Sequence, residues 1–356
     1  VFVDVDVDIT GSAELNNGWT ASLTYGLELD DNGGDYSDVD FNDDDNLTLS
    51  LYNDVFAFTY GDTEWAPVSY WNGVSEMNAD GFSEVDGEAV LKVTGSFGGV
   101  EGGISAGVDE ETGETYSLGF GAKATFGMVD VSAAYQEETD AVDSLSVANQ
   151  YDNFDDFNAS EVYGLSLSTT LAGAEFTLAY AKTTGGFDAD DANNDGDFND
   201  AGEITAKAYD TESIGLEVSY PVGPVTLGAF YVSEDTTNPA GIDDTYGVSA
   251  AYADGPITAK VYYKEIKGSE EYGLGATYDM GTGLTLTGGY IDGDSATDND
   301  FAGYVVAEYD LGGGASFLAS YADANNAAAA DTDDIDTVTG GYELFSGATL
   351  ALTLKF

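Results

Sequence analysis

From Val1 to Phe356 the chain alternates, with apolar side chains at one parity and polar or acidic ones at the other, and almost no helical period between the segments. A period of two belongs to β-strands, because successive side chains point to opposite faces. The opening stretch VFVDVDVDITGSAEL puts Val1, Val3, Val5, Val7 and Ile9 on one side and Asp4, Asp6 and Asp8 on the other. A soluble sheet would bury the valines in a core and give the acids to water. A membrane-spanning barrel would turn the valines to lipid and the acids to a watery interior. One strand does not decide between them.

The spacing of the segments carries more. Alternation is clear at Trp19–Leu29, Asn46–Tyr52, Tyr116–Phe126, Glu161–Leu171, Glu212–Tyr220, Ile257–Ile266, Tyr272–Met280 and Ala348–Phe356. About twenty such segments can be counted, nearly all of the roughly 9 to 11 residues that a tilted strand needs to cross a bilayer. Tight turns recur at Asn16–Gly18, Gly98–Gly99, Gly127–Met128, Ala172–Gly173, Pro221–Gly223, Ala253–Gly255, Gly281–Gly283 and Gly312–Gly314. Between them lie mostly longer acidic loops, such as Asp30–Asp45 and Thr183–Glu203. Short turns at one end and long loops at the other is the pattern of an outer-membrane barrel, short side periplasmic. A soluble sandwich has no reason to sort its loops. The reading is therefore a closed, antiparallel, all-β transmembrane barrel occupying residues 1–356 as one domain.

The ends of the chain strain the count. The turns send the first strand toward the periplasm, so a partner strand is expected before Val1. If Phe345–Gly347 is also a periplasmic turn, the last strand runs outward, which conflicts with a C-terminal aromatic, Phe356, at the periplasmic end. That terminal aromatic resembles the assembly signal of outer-membrane proteins.

Composition removes whole classes of function. There are 67 acidic residues against 8 basic ones, all lysine, with no histidine or cysteine and a formal charge of −59. Histidine-dependent nucleophile systems, the usual zinc ligand sets and disulfides are excluded, and an enzyme is not expected. Nucleic acid is not an expected partner, since phosphate contacts need basic side chains. Such acidity often accompanies disorder, yet 43% of residues are hydrophobic and 13% aromatic, enough to bury surface. No apolar run approaches the roughly 20 residues of a membrane helix. A secreted, soluble, calcium-stabilised β-protein, such as an adhesin or surface-layer module, stays open as the alternative.

Three segments resemble a known family. Asp6–Gly26, Tyr272–Gly283 and Tyr309–Asn325 are similar to hairpins of the general diffusion porins of alphaproteobacteria, of the Rhodobacter type. The resemblance implies an outer-membrane homotrimer of water-filled barrels, usually 16-stranded, passing small hydrophilic solutes. It also implies that the third extracellular loop folds into each lumen as a constriction.

The stretch Asp62–Glu88 sits where that loop belongs and lacks clear alternation. Its carboxylates Asp62, Glu64, Glu76, Asp80, Glu84, Asp86 and Glu88 are the candidate pore constriction, with Trp65, Tyr70 and Trp71 able to wedge it against the wall; a plain surface loop is the other reading. Porins of the family set arginines opposite the acidic loop. This chain has none, and Asp4, Asp6 and Asp8 line the strand nearest the expected basic cluster. Lys92, Lys123, Lys260 and Lys264 fall on the lumen side by alternation. A strongly negative lumen that favours cations is expected.

Asp191, Asn193, Asp195, Gly196, Asp197 and Asn199 have the spacing of an EF-hand-like calcium loop, although Glu203 falls one place late and no flanking helices are apparent. A plain acidic loop fits equally. No cofactor is required, but so many loop carboxylates at an outer-membrane surface should attract Ca²⁺ or Mg²⁺, which also bridge lipopolysaccharide phosphates.

Overall fold

The computed structural model describes residues 4–30, 40–43, 47–82, 89–108, 115–137, 159–189, 204–207, 210–295, 298–324, 335–344 and 346–355. The first strands are β1 (Asp4–Glu14), β2 (Thr20–Asp30), β3 (Asp40–Asp43), β4 (Thr48–Tyr52) and β5 (Phe56–Asp62), followed by a short helix, α1 (Ala66–Tyr70). Then come β6 (Ala89–Phe97), β7 (Val100–Val108), β8 (Thr115–Phe126), β9 (Val129–Glu137), β10 (Ala159–Leu171), β11 (Ala174–Ala189) and β12 (Ile204–Lys207). The chain continues through β13 (Thr211–Val222), β14 (Val225–Thr236), β15 (Thr245–Asp254), β16 (Ile257–Ile266), β17 (Ser269–Asp279) and β18 (Leu284–Ser295). It finishes with β19 (Asp298–Gly312), β20 (Ala315–Ala324), β21 (Ile335–Asp336), β22 (Glu343–Leu344) and β23 (Gly347–Leu354).

All but β21 and β22 join one 21-stranded sheet, in which all the pairings are antiparallel and most join neighbours in sequence. Four of these strands are halves of two longer lines. β3 and β4 lie end to end against β2, and β12 and β13 lie end to end against β11. The sheet therefore has 19 strand lines among the described residues, nearer the alternation count than the sixteen the resemblance implies. Tight hairpins follow local chemistry. At Ala172–Gly173 and Lys267–Gly268 both turn residues have positive φ, which matches the twist of the strands they join.

The last hairpin settles the direction of the final strand. β20 pairs directly with β23, whereas β21 and β22 pair only with each other. The segment around Phe345–Gly347 is thus not a turn between spanning strands, and β23 runs toward the short-turn end, as β1 does. Phe356 lies outside the described residues.

The apolar parity faces outward. Val7, Ile9, Leu23, Leu49, Leu91, Ile104, Leu165, Leu216, Val248, Leu274 and Val305 are all exposed, and Leu350 reaches 74%. A water-soluble protein rarely exposes more than a few hundred Å² of contiguous apolar surface, so this continuous band requires lipid. Strand β17 shows its internal order: Tyr272, Leu274 and Tyr278 are exposed in sequence along one face. Exposed Phe97, Phe126, Tyr220, Tyr309 and Phe317 recur near the short-turn ends of their strands, and Tyr246, Tyr290 and Tyr321 near the loop ends. Two aromatic girdles flanking an aliphatic band are the mark of a barrel in a bilayer. No helix is long and apolar enough to cross a membrane, which says nothing of strands.

The buried residues lie on the inner face. Trp65, Ala66, Val74, Met77, Ala79 and Phe82, all from the segment between β5 and β6, are buried against the strands. The interior is filled by inserted chain rather than by a second layer of sheet.

Candidate functional site

The segment from β5 to β6 travels along the inner wall. Asp62 itself ends β5, paired with Ala89, so the inserted part begins one residue later than the sequence suggests. Pro67 at the start of α1 fixes the first turn of the helix. The Ala66 backbone N–H donates to Ser105 Oγ on β7 (2.8 Å), and Trp65 is 1% exposed. Farther along, Asn72 Nδ2 donates to Ser168 Oγ on β10 (3.2 Å). Ser75 donates to Glu217 Oε2 on β13 from both N–H (3.0 Å) and hydroxyl (2.8 Å). The Asn78 N–H donates to Glu234 Oε1 on β14 (3.0 Å) and the Ala79 N–H to Ser213 Oγ on β13 (2.9 Å). Ser213 in turn donates to Glu234 Oε2 (2.5 Å), so one buried carboxylate fastens two residues of the insert. Val74, Met77 and Ala79 pack with Ala179, Ala181 and Val232 beneath them.

The strands make room with glycine. A Cβ on Gly121 would stand 2.2 Å from the Ala66 carbonyl oxygen, one on Gly119 2.7 Å from Pro67, one on Gly164 2.4 Å from Trp71 and one on Gly215 2.7 Å from Val74. All four sit at the inner parity of their strands. Together they form a groove in which the insert lies.

Of the nominated carboxylates, three among the described residues are engaged. Glu64 accepts from Ser69 Oγ (3.0 Å), Asp80 accepts from Trp71 Nε1 (2.9 Å), and Glu76 pairs with Lys264 Nζ (2.9 Å). Trp71 also meets Phe82 edge-on at 5.5 Å between ring centres. Glu84, Asp86 and Glu88 lie outside the described residues.

Lys92, Lys123, Lys260 and Lys264 all stand at the inner parity of their strands. Lys92 Nζ donates to the Glu64 carbonyl (2.6 Å), reaching across to the insert. Lys123 pairs with Glu101 (3.3 Å) and sits 5.7 Å over the Tyr70 ring. Burial, with Glu101 beside it, pushes the Tyr70 hydroxyl above its ordinary value despite Lys123. Lys264 also pairs with Glu271 (3.3 Å). Lys260 lies 5.6 Å over the Tyr262 ring and has no carboxylate partner among the described residues. A fifth lysine, Lys182, stands at the outer parity and binds Glu212 (2.6 Å) and Asp210 (3.2 Å).

Asp4, Asp6 and Asp8 are placed by backbone register alone, opposite Asp30, Glu28 and Gly26 of β2. The calcium-loop candidates Asp191, Asn193, Asp195, Asp197, Asn199 and Glu203 lie outside the described residues. Among the described residues no cluster of three or more metal-ligating side chains occurs.

A second insert was not anticipated. The hairpin made by β21 and β22 folds onto the inner face of β17 to β20. The Val338 N–H donates to Tyr304 Oη (2.6 Å), Thr339 and Thr277 share a hydroxyl contact (3.0 Å), and Tyr342 Oη donates to Glu308 (2.8 Å). Val338 and Leu344 pack with Tyr304, Val306 and Ala322.

The sequence that folds in this way is matched, over residues 1–259, by the model of a protein family described as Gram-negative porin. The chain belongs to that family. It is a non-enzymatic porin of the outer membrane, a β-barrel diffusion channel. Solved porins are similar to it at low identity. A triple mutant of the Rhodopseudomonas blastica porin is 16% identical, with 86% of this chain and 90% of that one covered and a TM-score of 0.42. An anion-selective porin from Comamonas acidovorans is 14% identical, with 98% and 86% covered and a TM-score of 0.36. No curated protein matches the chain.

The residues that sequence reasoning missed are wall residues: Glu217, Glu234 and Ser213, and the glycines that receive the insert. A signal for the glycines was present. Gly119 and Gly121 interrupt the inner parity of a strand whose outer parity carries Leu118 and Phe120. A residue with no side chain, where a polar one is expected, marks a close approach of backbone.

Proposed function

We propose that this porin is a passive diffusion channel of the Rhodobacter type, preferring cations, with residues 62–88 as its constriction and the whole of residues 1–356 as one barrel domain. The observation that carries the reading is the use of the inner-face lysines. Three of the four are engaged, Lys264 with Glu76 and Glu271, Lys123 with Glu101 and Lys92 with the Glu64 carbonyl, so they do not form a free basic wall opposite the insert. With 67 acidic residues against 8 lysines, the lumen potential is negative, which concentrates cations and repels anions. Small hydrophilic solutes pass without tight binding, since conduction requires that they leave as easily as they enter.

Assembly as a homotrimer is part of the same reading, as is Ca²⁺ or Mg²⁺ held between acidic loops and lipopolysaccharide. The soluble calcium-stabilised alternative is disfavoured by the outward apolar band. The zero-current potential across a planar bilayer under a tenfold KCl gradient tests the preference. A potential of the sign set by potassium is expected; the sign set by chloride overturns the assignment of the acids to the lumen.

A further inference from the structure

The constriction accounts for one inserted segment, whereas the structure holds two. Segment 63–82 lies on β7 to β14 and reaches β16 through the Glu76–Lys264 pair. Hairpin β21–β22 covers the next stretch of wall, from β16 to β20.

Its depth follows from its partners. Leu344 packs with Ala322, near the loop end of β20, whereas the tip reaches Thr277 and Glu308. Thr277 is two residues from the short-turn end of β17 and Glu308 four from that of β19. At roughly 3.3 Å per residue, reduced by strand tilt, the tip enters from the loop side and passes the mid-depth of the wall. Gly275 accommodates it, since a Cβ there would stand 2.8 Å from Val338 Cβ.

The two inserts converge on β16. Lys264 binds the first, Tyr262 packs against the apolar cluster of the second, and Lys260 faces the hairpin tip across a cleft of about 690 Å³ lined by Thr337, Thr339 and Tyr342.

We propose that the hairpin Ile335–Leu344 is a second constriction element, and that Lys260, an inner-face lysine with no carboxylate partner among the described residues, is the cationic group that permeating ions meet beside it. The proposal rests on the inner face being the permeation path. Its consequence is that the aperture is set by two segments of different chemistry. One is edged by engaged carboxylates, and the other presents the Lys260 ammonium, without a carboxylate partner among the described residues, together with threonine and tyrosine hydroxyls. Lys260 therefore limits the cation preference that the acids create, and sets how readily small anions follow.

The chain has no cysteine, so a single introduced thiol reports without background. Thr339→Cys, nearly isosteric and beside Lys260, is reconstituted in planar bilayers and treated with a negatively charged methanethiosulfonate, with complete modification verified by mass. Single-channel conductance is expected to fall to about half, because the added group occupies a narrow path. Ala240→Cys, on the exposed loop between β14 and β15, is expected to leave it unchanged. In a second measurement, Lys260→Gln is expected to move the zero-current potential farther toward that of a pure cation pore, more than Lys264→Gln does. Unaltered conductance after full modification of Thr339→Cys, or an unaltered potential in Lys260→Gln, overturns the hairpin's role and leaves the porin reading standing. Absence of any conductance from the folded wild-type protein overturns both.

Discussion

The two segments that fold into this barrel are held in different ways. The first is fastened largely by its backbone: N–H groups of Ala66, Ser75, Asn78 and Ala79 donate to side chains of three strands, β7, β13 and β14, and glycines on β8, β10 and β13 leave room beneath it. The second is fastened mainly by side chains, through an apolar cluster around Val338 and the hydroxyls of Thr339 and Tyr342, with one backbone N–H, that of Val338, donating to Tyr304. The first resembles an additional layer of the wall. The second is a smaller plug that pairs with no strand of the large sheet.

The difference is open to direct attack. Gly121→Val should have the largest effect, because the new Cβ would meet a backbone carbonyl at 2.2 Å and the helix above it cannot yield locally. Overpacking of this kind costs about 1–3 kcal/mol or more. The expected outcome is a lower melting temperature in detergent and a clear rise in conductance. Gly275→Val should do less to stability, since it meets a valine side chain at 2.8 Å, and should raise conductance by releasing the hairpin alone. Equal melting temperatures for the two variants would erase the distinction.

Glu234→Ala comes next. It removes the acceptor of the Asn78 N–H and of the Ser213 hydroxyl in a buried setting, at a cost of about 1–3 kcal/mol. Protease cleavage between β5 and β6 should accelerate, with the hairpin unaffected. Tyr304→Phe is the matching test of the hairpin. It leaves the buried Val338 N–H without its acceptor and should accelerate cleavage within residues 335–344 only.

The smallest effect expected is a dependence on alkaline pH. Burial, and then the Glu308 carboxylate that it bonds, push the Tyr342 hydroxyl up to about 12, from an ordinary value of 10.0. A raised value means that the neutral form is favoured in the docked state. Its contribution is therefore complete below pH 10 and is lost as the pH rises toward 12. Conductance should climb across that interval, and less so in Tyr342→Phe.

Much of this was legible in the sequence because a barrel is written in parity. Alternation and loop sorting indicated the sheet and its sidedness, the resemblance pointed to the segment after β5, and parity assigned Lys92, Lys123, Lys260 and Lys264 to the lumen side. The second insert was not legible, for a physical reason. Tyr342, Leu344 and their neighbours alternate well enough to pass for a strand end, and two-residue strands pairing only with each other carry no signal of their own. The conflict over the direction of the last strand was its trace. Glu217 and Glu234 were equally hidden, since among so many carboxylates nothing in the sequence separates one that binds a backbone N–H from one that meets water.

The central claim is that the apolar parity faces lipid and the polar parity faces a continuous water path. Single-channel recording of the detergent-purified protein in a planar bilayer tests this most directly. The account predicts insertion with discrete, long-lived conductance steps, in multiples of three if the assembly is a trimer. Protein that remains monodisperse without detergent and never inserts would contradict it.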